Sequence, residues 1–248
     1  MLHSTLFLRE SRPTQYQQRQ SWNQDCTGWF QQVPAPFDEE SIVEWTPVWS
    51  LTDRTFKYLP TDITNDLEIP TFVAITCRLD RDIEDIVLGF GTHFDPTVAI
   101  GRALTEVNQI LPNVLVANAN GSTKYPQAYN PLAIEWWQTA TRADRSYLCP
   151  DERSPPRKKS DYIERWHDDI FADILTCQQI VESLGLEFLV LDQTRPDAGL
   201  KVAKTIIPGM RHIWKRLAPG RLYEVPVKLG WLAQPHRESQ LNPFPMWM

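Results

Sequence analysis

Apolar and polar positions fall into two rhythms along the chain. Four short runs have strand composition: 42–51, 57–60 after a Thr-Asp-Arg turn, 69–79 and 85–90. They are rich in β-branched and aromatic residues and are bounded by turn residues. At Pro96 the rhythm changes. Ile100, Ala103, Leu104, Val107, Ile110 and Leu111 recur every three or four residues. Asp95 suits an N-cap, Pro96 the first helical position and Pro112 a stop. This predicts a helix over 96–111. The same spacing at Ile163, Trp166, Ile170, Ile174, Cys177, Val181 and Leu184, closed by Gly185, predicts a longer helix over 161–184. Between them 113–160 is turn-rich, broken by an apolar patch at Trp136 and Trp137. EFLVLDQT and LKVAKTIIPG then read as two strands around a Pro-Asp turn. A helix is expected near 211–217 and a strand near 222–227. Residues 1–41, rich in Gln, Arg and Pro, read as a poorly patterned arm. Together the elements predict one α+β domain over 42–248, with mixed sheets and two principal helices packed on them.

A faint repeat runs through this pattern. DITNDLEIPTFVA from Asp62 resembles DQTRPDAGLKVAK from Asp192. Each places Asp-x-Thr before an acidic turn and a β-rich run, which suggests a duplicated α+β building block.

Composition narrows the function classes. A 248-residue chain that is 42% hydrophobic is long enough for one large core. Its net charge of -6 lacks the basic footprint of a nucleic-acid binder. No apolar run reaches the ~18 residues of a membrane span. The N-terminus has no basic region followed by an apolar one, so no secretory signal is read. Cys26, Cys77, Cys149 and Cys177 form no CxxC, which argues against a zinc site. Cys77 and Cys177 sit in apolar-patterned stretches as small core residues. A reducing cytoplasm fits this usage. The ten tryptophans read mainly as core aromatics.

The stretch richest in chemistry is GFGTHFDPTVAIGRALTEVNQ, residues 89–109. It reads as strand, Gly-x-Gly-x-His turn and capped helix. Gly89 and Gly91 serve either close backbone approach to a ligand or a tight turn. A helix start also favours phosphate. Arg102, Thr105, Glu106 and Gln109 share one helix face. That face is either solvated, with an Arg102–Glu106 pair, or a site where Glu106 holds Mg²⁺ and Arg102 or Gln109 meets phosphate. His93 either contacts substrate or satisfies the turn backbone. His167, Asp168 and Asp169 are adjacent, point in different directions and read as a solvated face. His212 has no evident partner. No Gly-x-Ser-x-Gly elbow and no Walker-type loop occurs.

Several separate motifs, in order over 42–248, resemble the YcaO family. The Gly-x-Gly-x-His turn, Asp-Pro cap and Arg-Ala-Leu-Thr-Glu helix ending in Gln resemble its signature. WTPVWSLTDRTFKYLPT resembles its early strand pair, and SYLCPDERSPPRKKSDY its mid-domain loop. FLVLDQTRPDAGLKVAKTIIPGMRHIW and RLYEVPVKLGW resemble its later half. NPFP resembles the proline-rich end of its peptide cyclodehydratases. The resemblance implies ATP-dependent activation of a backbone amide in a ribosomal precursor peptide. A Cys, Ser or Thr side chain attacks the preceding carbonyl, the amide oxygen is phosphorylated, and phosphate leaves to give a thiazoline or oxazoline. It further implies Arg102, Glu106 and Gln109 at the ATP site, with Glu106 and Gln109 toward Mg²⁺. Pro243 and Pro245 of the tail, with His93, are its catalytic candidates. A leader-binding partner protein or a homo-oligomer is the assembly it implies.

The chain departs from that family at one point. The family separates the strand pair ending in Leu-Pro-Thr from the Asp-x-Thr hairpin by a long segment, which carries two further glutamates for Mg–ATP. Here Thr61 runs directly into Asp62. Two readings follow: an azoline-forming enzyme, or a non-catalytic relative acting as an accessory, peptide-binding subunit. Weak or absent Mg–ATP binding by the chain alone is expected in either case.

Overall fold

A computed structural model describes residues 56–149, 157–211 and 217–242, with side chains from residue 60. Three strands, β1 (Phe56–Asp62), β2 (Thr71–Arg78) and β3 (Val87–Thr92), form an antiparallel sheet in that order. Every residue of β2 is buried, so both faces of the sheet are covered. Helix α1 (Pro96–Ile110) packs across β3 and β2. Its Asp95 cap accepts from the Thr97 N–H at 2.8 Å. Ile100, Leu104 and Val107 are buried, as their spacing predicts. A short turn of helix, α2 (Pro112–Leu115), follows at once.

Helix α3 (Pro131–Thr139) lies inside the stretch read as turn-rich. Its start repeats the signature of α1: Asn130 caps the Leu132 N–H at 2.9 Å and Pro131 follows. Its Trp136 and Trp137 are buried, and the Trp136 indole donates to Ile86 O at 2.9 Å.

The helix expected over 161–184 is shorter. As α4 it covers Ile170–Ser183. Asp169 caps it through the Phe171 N–H, so the chain before it is not helical, and Ile163 and Trp166 are exposed. Its end is as read. Gly185, at φ 72°, donates to Glu182 O at 2.9 Å, and Leu186 donates to Val181 O at 3.2 Å. Cys177 and Val181 of α4 form a second core with Leu67, Ile69 and Phe94. Burial pushes the Cys177 thiol up to about 11, which makes it an inert core thiol.

Strands β4 (Leu189–Asp192) and β5 (Ala203–Ile206) form a separate two-stranded antiparallel sheet. The strand expected near 222–227 is instead helix α5 (Arg221–Lys228). The helical turn puts Leu222, Val225 and Pro226 on one buried face, which a period of two would split. Arg221 of α5 grips Asp66 in the β1–β2 turn at 2.5 and 3.1 Å. The 1–41 arm, the strand over 42–51 and most of the helix near 211–217 lie outside the described residues.

The repeat seen in sequence is real in three dimensions. Asp62 Oδ1 accepts from the Thr64 N–H at 2.8 Å, and Asp192 Oδ1 accepts from the Thr194 N–H at 2.8 Å. Thr64 Oγ1 accepts from the Thr71 N–H at 3.0 Å, and Thr194 Oγ1 from the Val202 N–H at 3.1 Å. Thus β1–β2 and β4–β5 are one hairpin built twice, each locked at its mouth by the same Asp and Thr.

Candidate active site

The segment 89–109 folds as β3, a turn and α1, but its two glycines serve packing. A Cβ on Gly91 would lie inside the Ala99 carbonyl oxygen and 2.6 Å from Ala103 N. A Cβ on Gly89 would collide with Ala103 O and stand 2.5 Å from Val107 N. The glycines let α1 lie directly on β3, so neither the ligand-approach nor the turn reading describes them.

Arg102 and Glu106 are half-buried and do not pair with each other. Both reach back to the outer edge of β3. Glu106 Oε2 accepts from the Phe90 N–H at 2.5 Å, and Arg102 Nη1 donates to Thr92 O at 3.0 Å. They meet alternate backbone groups on the side of β3 that faces no other strand among the described residues. Gln109 and Thr105 are exposed, and the Thr105 hydroxyl donates to Gly101 O. The polar face therefore splits: Arg102 and Glu106 are committed to the β3 backbone, Thr105 to its own helix, and Gln109 is exposed.

His93 sits at the start of this turn. Its Nδ1 accepts from the Asp95 N–H at 2.9 Å, and its own N–H donates to Pro70 O at 3.1 Å. Burial, helped by the Arg102 charge, lowers its pKa against the pull of Asp95 and Asp173. The ring is thus neutral near pH 7, with Nδ1 engaged by backbone and the proton on Nε2. This favours the turn-backbone role, and Nε2–H remains as a donor. A depressed folded pKa means the contribution is whole above the unfolded value of ~6.5 and is lost as pH falls through the folded pKa. Replacing His93 with Asn keeps an acceptor for Asp95 but cannot titrate. Melting temperature plotted against pH should fall less steeply below pH ~6.5 for that variant than for the parent.

Sequence reasoning did not single out the polar cluster beside this turn. Asp62, fully buried at the end of β1, accepts from the Tyr162 hydroxyl at 2.9 Å and lies 3.6 Å from Arg157. Burial, with Asp62 adding to it, drives the Tyr162 pKa upward, so the phenol stays a donor. Lys159 reaches the Asp95 cap at 3.5 Å. Arg157 and Lys159, two residues apart, thus reach from Asp62 at the end of β1 to the N-terminus of α1. The available signal is the repeated Asp-x-Thr, which marks Asp62 as a junction residue.

His167, Asp168 and Asp169 are exposed, as the solvated reading expects, but they precede α4 instead of lying on it, and Asp169 caps it. The His167 backbone N–H and Nδ1 both meet Asp173 Oδ1 at 3.0 Å. Among the described residues no group of three or more His, Cys, Asp or Glu is placed to hold a metal. His212, Pro243 and Pro245 lie outside the described residues.

Residues 61–211 match the family model described as YcaO cyclodehydratase, ATP- and Mg²⁺-binding. The chain belongs to the YcaO family. Its fold matches the structure of the heterocyclase TruD with a TM-score of 0.76 at 42% identity, covering 90% of this chain and 30% of that one. A heterocyclase in complex with substrate and cofactor gives 0.79 at 42% identity, covering 91% and 30%. An uncharacterized protein of Methanothermobacter thermautotrophicus is 28% identical over 153 residues, 60% of this chain and 38% of that protein. The YcaO chain thus spans less than a third of the heterocyclases it matches.

ATP and Mg²⁺ are ligands of this family. The described residues do not by themselves fit a Mg–ATP complex. Glu106 has one oxygen on the Phe90 N–H, Arg102 is spent in part on Thr92, and Gln109 is an exposed neutral amide. They also stand on one side of any phosphate chain. A divalent ion with a triphosphate calls for hard oxygen ligands and cations on both sides. The joint at Thr61–Asp62 leaves no loop from which a second set could project. β1 runs through it unbroken, pairing Thr61 with Val73 and Asp62 with Phe72.

Proposed function

We propose that this chain serves YcaO-type formation of thiazolines or oxazolines on a ribosomal precursor peptide, in the cytoplasm. The supporting observation is 42% identity to a heterocyclase over nine-tenths of the chain. A second reading, the accessory subunit, is favoured by the commitment of Glu106 and Arg102 to the β3 backbone. In that reading the chain keeps the peptide-facing scaffold, and another polypeptide supplies the carboxylates that hold nucleotide.

The test is calorimetric titration of Mg–ATP into the purified chain, alone and with a heterocyclase of the same family. Each missing charge-assisted contact forfeits about 1.5–3 kcal/mol, so two should weaken binding roughly a hundredfold or more. No binding at micromolar concentration is expected for the chain alone. Mass spectrometry of a Cys-containing precursor peptide, reading the loss of one water per ring, separates the two functional readings. Ring formation by the isolated chain would establish the enzyme and overturn the incomplete-site argument.

A further inference from the structure

Asn120-Gly121 is the only Asn-Gly pair in the chain. It lies at the tip of a tight loop that the Ala117–Thr123 bridge closes. Within the loop the Gly121 N–H donates to Asn118 O at 2.9 Å, and the Asn118 N–H donates to Ser122 O at 2.9 Å. Asn120 is exposed, and Gly121 has a φ of 77° that the absence of a side chain permits. Three hydrogen bonds converge on Asn120. Arg81 Nη2 donates to its backbone carbonyl at 2.8 Å, and the Ser122 N–H and hydroxyl donate to its side-chain Oδ1 at 3.0 and 2.7 Å. Each bond has a chemical sense. The Asn120 carbonyl belongs to the same amide as the Gly121 nitrogen, so a guanidinium on that oxygen draws density from the amide and makes its N–H more acidic. Two donors on Oδ1 polarise the side-chain carbonyl and favour the oxyanion formed when a nucleophile adds to Cγ. The two reacting groups belong to adjacent residues, so the addition is intramolecular. A side chain at 121 would collide with Arg81, so glycine also lets the cation reach the carbonyl.

We propose that Asn120 is a site of spontaneous succinimide formation, with Arg81 and Ser122 promoting the ring closure. The Gly121 nitrogen leaves Asn118 O, gives its proton to a solvent base and bonds to Asn120 Cγ. The Cγ–Nδ2 bond breaks, and Nδ2 takes up a proton from water and departs as ammonia. Water then opens the ring. Cleavage of the new N–Cγ bond gives aspartate at 120. Cleavage of the bond to the backbone carbonyl carbon gives isoaspartate, whose main chain is longer by one CH₂. The net change is gain of water and loss of ammonia, with nothing oxidised or reduced. The longer main chain falls in the loop that presents Thr123. Thr123 accepts from Arg78 Nη1 at 3.1 Å and donates to the fully buried Asp85. The isoaspartyl product therefore loosens this buried cluster, whereas aspartate keeps the length of the loop.

The experiment incubates the purified chain at about pH 8 and 37 °C in ¹⁸O-labelled water and maps its peptides by mass spectrometry. It uses no nucleotide or precursor peptide, so its failure leaves the heterocyclase reading untouched. Label should enter at Asn120 and not at Asn118, which is exposed in the same loop but is followed by alanine. Arg81 is exposed, so Arg81→Gln removes the cation without disturbing the core. It should slow conversion about threefold or more, far short of the hundredfold lost at a buried oxyanion site, because the contact is open to water. Ser122→Ala removes one of the two donors on Oδ1 and should slow conversion as well. The aged chain should unfold at a lower urea concentration than Asn120→Asp, which adds the charge without lengthening the main chain. An Asn120 that stays intact overturns the proposal. So does conversion that runs as fast in either variant as in the parent. An aged chain as stable as Asn120→Asp overturns the link to Thr123.

Discussion

Replacing Gly91 with alanine should cost about 4 kcal/mol or more, enough to leave much of the chain unfolded at 25 °C. The added methyl has no side chain to push aside. It meets Ala99 O and Ala103 N, both backbone of α1, so either the helix lifts from β3 or the strand bends. Lifting α1 withdraws Ala99, Ala103 and Val107 from the core and pulls Glu106 off the Phe90 N–H. Gly101 is the internal control. It lies on the same helix, and a methyl added there would meet no atom within 4 Å. Alanine at that position should stabilise by about 0.5–1 kcal/mol. Urea denaturation of the two variants reads the difference. Comparable stabilities would mean that the glycine spacing on β3 does not set the α1 contact.

That contrast shows what local sequence carries. The spacing of Ile100, Leu104 and Val107 places α1 to within a residue, because burial of one helix face imposes its period directly. Whether Gly91 meets a ligand, a turn or a helix depends on what lies above it, and that is a tertiary fact. The helix expected over 161–184 overruns its true start for a related reason. Ile163 and Trp166 keep the three-and-four rhythm, but Asp169 takes the cap role and starts the helix after them. Helix α3 escapes the periodic reading although Asn130-Pro131 repeats the Asp95-Pro96 signature, because nine residues give too little period to stand out from the turns around them. In 222–227 the apolar positions satisfy both periods, and burial on one side decides for the helix.

At the site, the residues on one helix face are legible in the sequence and their partners are not. Arg102, Glu106 and Gln109 share the face their spacing implies. That Glu106 and Arg102 reach the outer edge of β3 follows from β3 being the last strand of its sheet among the described residues, which strand order alone reveals. The Asp-x-Thr repeat carries more than its faint similarity suggests. The two hydrogen bonds that lock each hairpin need only a carboxylate and a hydroxyl at fixed spacing, so they persist where the surrounding sequence has diverged.

The second large effect is expected far from α1, at the buried ion pair that starts β3. Arg78 is 2% exposed and holds Asp80 through two bonds, at 3.0 and 2.5 Å. Its Nη1 lies 3.4 Å from Asp85, which is fully buried and adopts a left-handed φ of 46°. Thr123 and Tyr125 donate their hydroxyls to the same carboxylate. Burial, with that hydrogen bond adding to it, raises the Tyr125 pKa, so the phenol remains a donor throughout the physiological range. The cluster ties the β2–β3 connection to the segment carrying Thr123 and Tyr125, and so fixes where β3 begins. Arg78→Met keeps the bulk and removes the cation. It leaves a buried carboxylate with only neutral donors, and should cost about 3–5 kcal/mol in urea denaturation. Asp85→Asn added to that variant removes the stranded charge and should recover part of the loss, although Asp85→Asn alone is destabilising. The double-mutant cycle is therefore strongly non-additive. If the two costs simply add, Arg78 and Asp85 do not act as a unit, and the start of β3 is held by packing against Trp136 and its neighbours alone.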